Sequence, residues 1–151
     1  MIGSRSPEKL SDFVSANNDT ISTGSFAQTT QFGDIVVLAT HGEATENAID
    51  LSDPRNFEGK IVIDTSNPLD MSKGMPPTIL RKYAEVSFGE YVQRKLQYSY
   101  VVKCFNTVPN ALMFQPRFEG SDMLICENDK NAKVEIIKIL KQLGWSGAPW
   151  I

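Results

Sequence analysis

Histidine is nearly absent from this chain: His41 is the only one among 151 residues. A metal centre built on imidazoles has too few ligands here, and a paired-histidine proton relay has none to spare. Cysteine is almost as scarce. Cys104 and Cys126 form no Cys-x-x-Cys pair, and each sits in an apolar, strand-like run. Both are expected to be small buried core residues in a reducing compartment such as the cytoplasm, rather than disulfide or metal partners. No apolar run approaches the roughly 18 residues of a membrane span. Met1-Ile2 leads at once into Gly-Ser-Arg-Ser-Pro, without the apolar stretch of a secretory signal. A basic surplus is also lacking. Fifteen Lys and Arg against eighteen Asp and Glu give a net charge of -3, which argues against a nucleic-acid or membrane-surface binder.

What is present fits a single soluble domain. Hydrophobic residues make up 41% and charged residues 22%, and a chain of this length can bury about 68–70% of its unfolded surface. Strand-like and helical runs alternate along it. Ser6 and Pro7 open a helix carrying Leu10, Phe13 and Val14. Ile35-Val36-Val37-Leu38-Ala39 is a continuous apolar run of strand length, and Ile61-Val62-Ile63-Asp64 follows the turn Glu58-Gly59-Lys60. Ser87 and Glu90 form a capping-box pattern ahead of Phe88, Val92 and Leu96 at helical spacing. Tyr100–Phe105 and Met123–Cys126 read as strands. A final helix starts at Asn128 or Asp129, carries the stripe Ile136, Ile137, Leu140 and Leu143, and stops at Gly144. The long stretch from Ser66 to about Thr78, with Pro68, Gly74, Pro76 and Pro77, reads as an irregular loop of functional length.

Buried strands alternating with helices imply an α/β fold with a doubly wound, mostly parallel sheet. Ligands of such sheets bind at the carboxyl ends of the strands. The residues that follow the apolar runs are therefore the candidates: Gly3-Ser4-Arg5, Ala39-Thr40-His41-Gly42, Thr65-Ser66-Asn67-Pro68 and Asn106-Thr107. All are small, polar or both. Asp64, at a strand end, reads as a structural hydrogen-bonding residue.

In order, Gly3-Ser4-Arg5-x-Pro7-Glu8-Lys9, Gly33–Ala39, Val62–Pro68 and Val101-Val102-Lys103-Cys104-Phe105-Asn106-Thr107 form a specific series. It resembles the NADP-binding domain of the coenzyme F420-dependent NADP oxidoreductase family, from Met1 to about Leu143. The resemblance implies a Rossmann-like fold and NADP(H) as cofactor. It implies that Ser4, Arg5 and Lys9 hold the 2′-phosphate. An Arg after the second strand accommodates that phosphate, whereas an acidic residue there selects NAD. It further implies that Ala39, Thr40 and His41 line the cofactor groove, and that Asn67, Pro68, Asn106 and Thr107 lie beside the nicotinamide. No catalytic residue and no metal ligand is assigned.

The family pattern also calls for a strand and a Gly-rich turn that sets the pyrophosphate on a helix N-terminus. That unit, about 30 residues of a βαβ step, does not stand ahead of Met1, and no two of the ten glycines are spaced as Gly-x-Gly. Residues 1–151 are thus expected to be one NADP-binding Rossmann-like domain, incomplete at its first strand and at its carboxyl end. Trp145 and Trp150 are expected to be exposed there, in keeping with a missing interface or a homo-oligomer.

Three functions stay open at this point. The first is an NADP(H)-dependent oxidoreductase passing hydride between the nicotinamide and a small acceptor, F420 or a flavin among them. The second is a non-catalytic remnant or a partner-dependent nucleotide-binding module. The third is a different NADP-using Rossmann enzyme, such as a small imine or ketone reductase, which calls for a proton donor placed by an additional domain.

Overall fold

The computed structural model describes residues 1–18, 20–72, 74–116 and 122–146. It opens with β1 (Ile2–Gly3), a 3-10 turn over Pro7–Leu10, and α1 (Ser11–Ala16). Pro7 fills the first position of its turn, where a missing N–H is no loss. Ser6 stands at the cap, but its side chain makes no cap bond; Ser4 Oγ instead accepts from the Ser6 N–H at 3.0 Å. The apolar residues of α1 do not reach a core. None of its residues is buried, and Phe13 is 49% exposed. Next come β2 (Thr23–Gly24), parallel to β1, and α2 (Phe26–Phe32), started by a capping box between Ser25 and Gln28.

Four further pieces build the body: β3 (Ile35–Leu38), α3 (Gly42–Ser52), β4 (Ile61–Asp64) and, after a short antiparallel hairpin of β5 (Leu69–Asp70) with β6 (Thr78–Ile79), α4 (Phe88–Lys95). The stretch expected to be irregular from Ser66 to Thr78 is therefore partly pinned, because the hairpin pairs Leu69 with Ile79 and Asp70 with Thr78. The Ser87–Glu90 capping box is formed as expected. β7 (Tyr100–Lys103) and α5 (Lys130–Gln142) complete the described elements. Asp129 caps α5 through the N–H groups of Asn131 and Ala132, and Gly144 follows it at a φ of 92°, a left-handed conformation suited to glycine.

β3, β4 and β7 form one parallel ladder, with Ile35, Ile61 and Tyr100 in line at one end and Leu38, Asp64 and Lys103 at the other. Alternation along β4 and β7 fills both faces, and β3 adds to one of them. Val36, Leu38, Val62 and Val101 join Ile49 of α3 and Phe88 and Val92 of α4. Ile63 and Val102 join Met123, Ile125, Ile136 and Leu140 on the α5 side. A parallel sheet covered on both faces in this way is the doubly wound, Rossmann-like arrangement.

Three expectations need correcting. β3 is not buried on both faces, since Ile35 and Val37 are 37% and 54% exposed. Cys126 is exposed, and Met123–Cys126 forms no strand among the described residues; its backbone meets β7 through an isolated antiparallel bridge to Lys103. Trp145 is buried, with its indole N–H donating to the Met113 carbonyl at 3.1 Å. Trp150 lies outside the described residues.

The exposure of β3 has a structural cause. β1 and β2 form a separate ladder, and among the described residues no strand pairs with both β1 and β3. A groove of about 450 Å³ runs between them, with Met1, Ile2 and Gly3 on one side, Ile35 to Thr40 on the other, and α2 and α3 beneath.

Candidate functional site

The loops singled out from the sequence all lie at the carboxyl edge of the two ladders, and three of them meet. The loop after β4 is held from both sides. Thr65 donates through its N–H and its hydroxyl to the Leu38 carbonyl at the end of β3, both at 3.2 Å. Asn67 Nδ2 donates to the Asn106 carbonyl at 2.7 Å, and Asn106 Nδ2 donates back to Asn67 Oδ1 at 3.3 Å. The two asparagines, 39 residues apart in sequence, thus form a reciprocal amide pair across the ends of β4 and β7. Pro68 is buried beside them, whereas Thr107 is exposed.

The loop after β3 packs onto the same place. Gly42, the first residue of α3, lies against the Asn67–Pro68 backbone. Thr40 and Thr45 share a hydroxyl–hydroxyl hydrogen bond of 2.9 Å, which ties the loop to the first turn of α3. His41 caps α3 through its backbone only; its carbonyl accepts from the Ala44 N–H at 2.8 Å, and its ring is exposed. Ala39 is exposed, and both Ala39 and Thr40 line the groove between the ladders.

Ser4 and Arg5 stand apart from these loops, directly after β1 across the groove, and Lys9 lies in the 3-10 turn that follows. The Ser4 N–H donates to the Gly24 carbonyl at 3.0 Å, fixing the tip of β1 to β2. Ser4 Oγ accepts from Ser6, which leaves its hydroxyl proton free to donate. Arg5 and Lys9 are exposed and make no ion pair among the described residues. A hydroxyl donor and an unpaired guanidinium follow β1 directly, and a second unpaired cation, Lys9, stands in the 3-10 turn after them; donors of this kind suit a phosphate.

Beneath the amide pair is an ion pair between Asp64 and Lys103. Asp64 is fully buried, and its carboxylate accepts from Lys103 Nζ at 2.8 Å, from the Ser66 N–H at 3.0 Å and from Ser66 Oγ at 2.5 Å. The structural role expected of Asp64 is what it has. Ser66 and Gly42 are among the candidate loop residues and Lys103 is part of the resembling segment, but the bonds of Ser66 with the Asp64–Lys103 pair and the close packing of Gly42 emerge only in the fold. The available signal was a charge standing inside each apolar run, Asp after Ile61-Val62-Ile63 and Lys after Val101-Val102, since buried charges must be paired.

A cleft of about 600 Å³ opens beside the pair, between the loop after β4, the start of α4 and residues 126–128. Asn67, Asn106 and Lys103 are on its wall, with Phe88 and Tyr83 as its aromatic surface. Among the described residues no cluster of His, Cys, Asp and Glu could hold a metal ion. No helix there is long and apolar enough to cross a membrane.

Known proteins share this layout. A family profile described as NADP oxidoreductase, coenzyme F420-dependent, matches residues 1–68. The F420-dependent NADP reductase of Methanocaldococcus jannaschii is 33% identical over 112 residues, covering 74% of this chain and 50% of that protein. The human metalloreductase STEAP2 is 30% identical over 146 residues, 96% of this chain and 27% of that protein. The chain thus spans half the length of the first of these curated relatives and about a quarter of the second. A solved Arthrobacter sp. FB24 protein, assigned as an F420-dependent NADP-reductase, superposes with a TM-score of 0.90 at 31% identity, over 99% of this chain and 72% of that one. The chain belongs to the coenzyme F420-dependent NADP oxidoreductase family.

Proposed function

We propose that this chain is the NADP(H)-binding part of an oxidoreductase that passes hydride between the nicotinamide and a small acceptor of the deazaflavin or flavin type. The observation that carries this reading is the convergence of the loops after β3, β4 and β7 on the Asn67–Asn106 amide pair, with unpaired Arg5 just after β1 and unpaired Lys9 in the turn that follows. NADPH, when bound, supplies the hydride. Ser4, Arg5 and Lys9 hold the 2′-phosphate by one hydroxyl donor and two cations. Ala39 and Thr40 border the groove that the nucleotide crosses, and His41 follows them at the start of α3. Asn67, Pro68, Asn106 and Thr107 border the nicotinamide; Asn106 Oδ1, which has no partner among the described residues, is available to accept from its carboxamide.

Hydride transfer moves two electrons and one proton together, so this chain needs no general acid or base for the step itself. Its contribution is orientation and electrostatics. A cytoplasmic setting, where Cys104 and Cys126 stay reduced, goes with this reading.

Arg5→Glu tests the assignment of the phosphate site. The wild type is expected to prefer NADPH over NADH, and the substitution is expected to abolish that preference. A preference that survives it contradicts the site.

The groove between β1 and β3 favours a second reading, a nucleotide-binding module whose sheet is completed by a further polypeptide segment. Rapid NADPH oxidation by residues 1–151 alone with an added flavin would count against it.

A further inference from the structure

Two charges at the ends of β4 and β7 do more than cross-link strands. Asp64 and Lys103 are register partners, and a parallel ladder already holds these strands together. Yet the bonds of the pair beyond its own contact all land on one loop residue. Asp64 Oδ1 accepts from the Ser66 N–H and from Ser66 Oγ, and Lys103 Nζ donates to the Ser66 carbonyl. Ser66 is thereby held at its donor, its hydroxyl and its acceptor. The next residue is Asn67, half of the amide pair.

The surroundings of the ammonium point the same way. Lys103 Nζ lies 5.1 Å from the centroid of the Phe88 ring, over its face, at the start of α4. Its side chain is only 14% exposed and forms part of the cleft wall beside Asn67 and Asn106. Two N–H groups are spent on Asp64 and Ser66, and the aromatic face stabilises the remaining charge.

We infer that Lys103 is a positioning residue. By clamping Ser66 it fixes Asn67 and Pro68, and so sets where the Asn67–Asn106 pair stands at the nicotinamide end of the site. The inference rests on the nicotinamide placement proposed above, and it involves no contact between Lys103 and the reacting atoms.

Lys103→Met keeps the length of the side chain and removes its charge. Because that leaves Asp64 buried without its cation, the double variant Asp64→Asn/Lys103→Met is made beside it, and Lys103→Arg serves as the conservative rescue. Two ligands separate the ends of the site: adenosine 2′,5′-bisphosphate, which carries the 2′-phosphate but no nicotinamide, and NADPH, which carries both. In the Met variants NADPH is expected to bind about tenfold or more weakly, as misplacement of a positioning loop by an ångström or so can do, while the bisphosphate stays within about twofold. Lys103→Arg is expected to restore part of the loss.

The side-chain amide signals of Asn67 and Asn106, followed by NMR in the free protein, give a readout that needs no nucleotide. They are expected to shift in both Met variants. Unchanged asparagine signals, or equal weakening of both ligands, would overturn the inference. Should the wild type bind neither ligand, the NADP(H) reading fails and the asparagine signals alone decide the role of Lys103. If the single variant does not fold, the double variant gives the same readings.

Discussion

Gly42 and Asn67 are in backbone contact: a Cβ built on Gly42 would stand 2.1 Å from the Asn67 carbonyl oxygen. No flexible side chain is available there to move aside, because the neighbouring atoms are the Asn67 carbonyl carbon and the Pro68 Cα. The start of α3 and the loop after β4 therefore share one position that only glycine permits.

Gly42→Ala must push the two backbones apart. Overpacking of this kind costs about 1–3 kcal/mol, and the displaced loop carries the Asn67–Asn106 pair with it. A lower urea midpoint, together with weaker NADPH binding, is the expected outcome. A variant as stable as the wild type would show that the loop is free to move.

The two apolar stripes read from the sequence behave differently when packed. Ile136 is fully buried beside Leu140 on the α5 side of the sheet, whereas Phe13 is half exposed on α1. Ile136→Ala is expected to destabilise the fold by about 2–5 kcal/mol. Phe13→Ala is expected to stay within about 0.5 kcal/mol, as exposed positions do. Chemical denaturation of the two variants side by side checks the contrast.

The cysteines should also separate. Burial pushes the Cys104 thiol up to about 12, while Cys126 is exposed. A thiol-specific reagent near neutral pH is expected to label Cys126 alone, and to reach Cys104 only after denaturation. Labelling of Cys104 in the native protein would mean that the α5 side of the core opens readily.

Glu46 links α3 to the start and end of the α4 region, pairing with Lys82 at 3.3 Å and with Lys95 at 3.4 Å. A hydrogen bond with Tyr91 is the main cause holding its carboxyl below the usual value, with the two lysines helping against partial burial. The same hydrogen bond raises the Tyr91 hydroxyl to about 12. A depressed carboxyl contributes stability that is present above its unfolded value and is lost as the pH falls through the folded one. Glu46→Gln is therefore expected to be less stable than the wild type near neutral pH, and the gap is expected to close in acid. Urea midpoints across that range measure it, and a gap that stays constant would contradict the assignment.

Much of the fold was legible because local chemistry and burial agreed. Ser87 with Glu90, Asp129 and Gly144 mark helix ends through bonds and backbone angles that sequence alone dictates. The parallel ladder followed from unbroken apolar runs, and its carboxyl edge from the small polar residues after them. Reading failed where the outcome depended on distant chain. Ile35 and Val37 look like core residues, yet they face the groove beside β1. Trp145 looked exposed near the end of the chain, but the Met113 carbonyl claims its indole. The resemblance singles out Asn67 and Asn106 separately, but their pairing comes from strand register, which no single segment contains. The role of Lys103 was hidden for the same reason, since its partners lie 37 and 39 residues away.

The most direct test of the account is a titration of residues 1–151 with NADPH and with NADH, followed by nicotinamide fluorescence, with circular dichroism on the same sample to establish folding. Micromolar binding of NADPH with a clear preference over NADH is the result the account predicts, because Ser4, Arg5 and Lys9 then hold a 2′-phosphate that NADH lacks. A folded chain that binds neither nucleotide, or binds both equally, would contradict it.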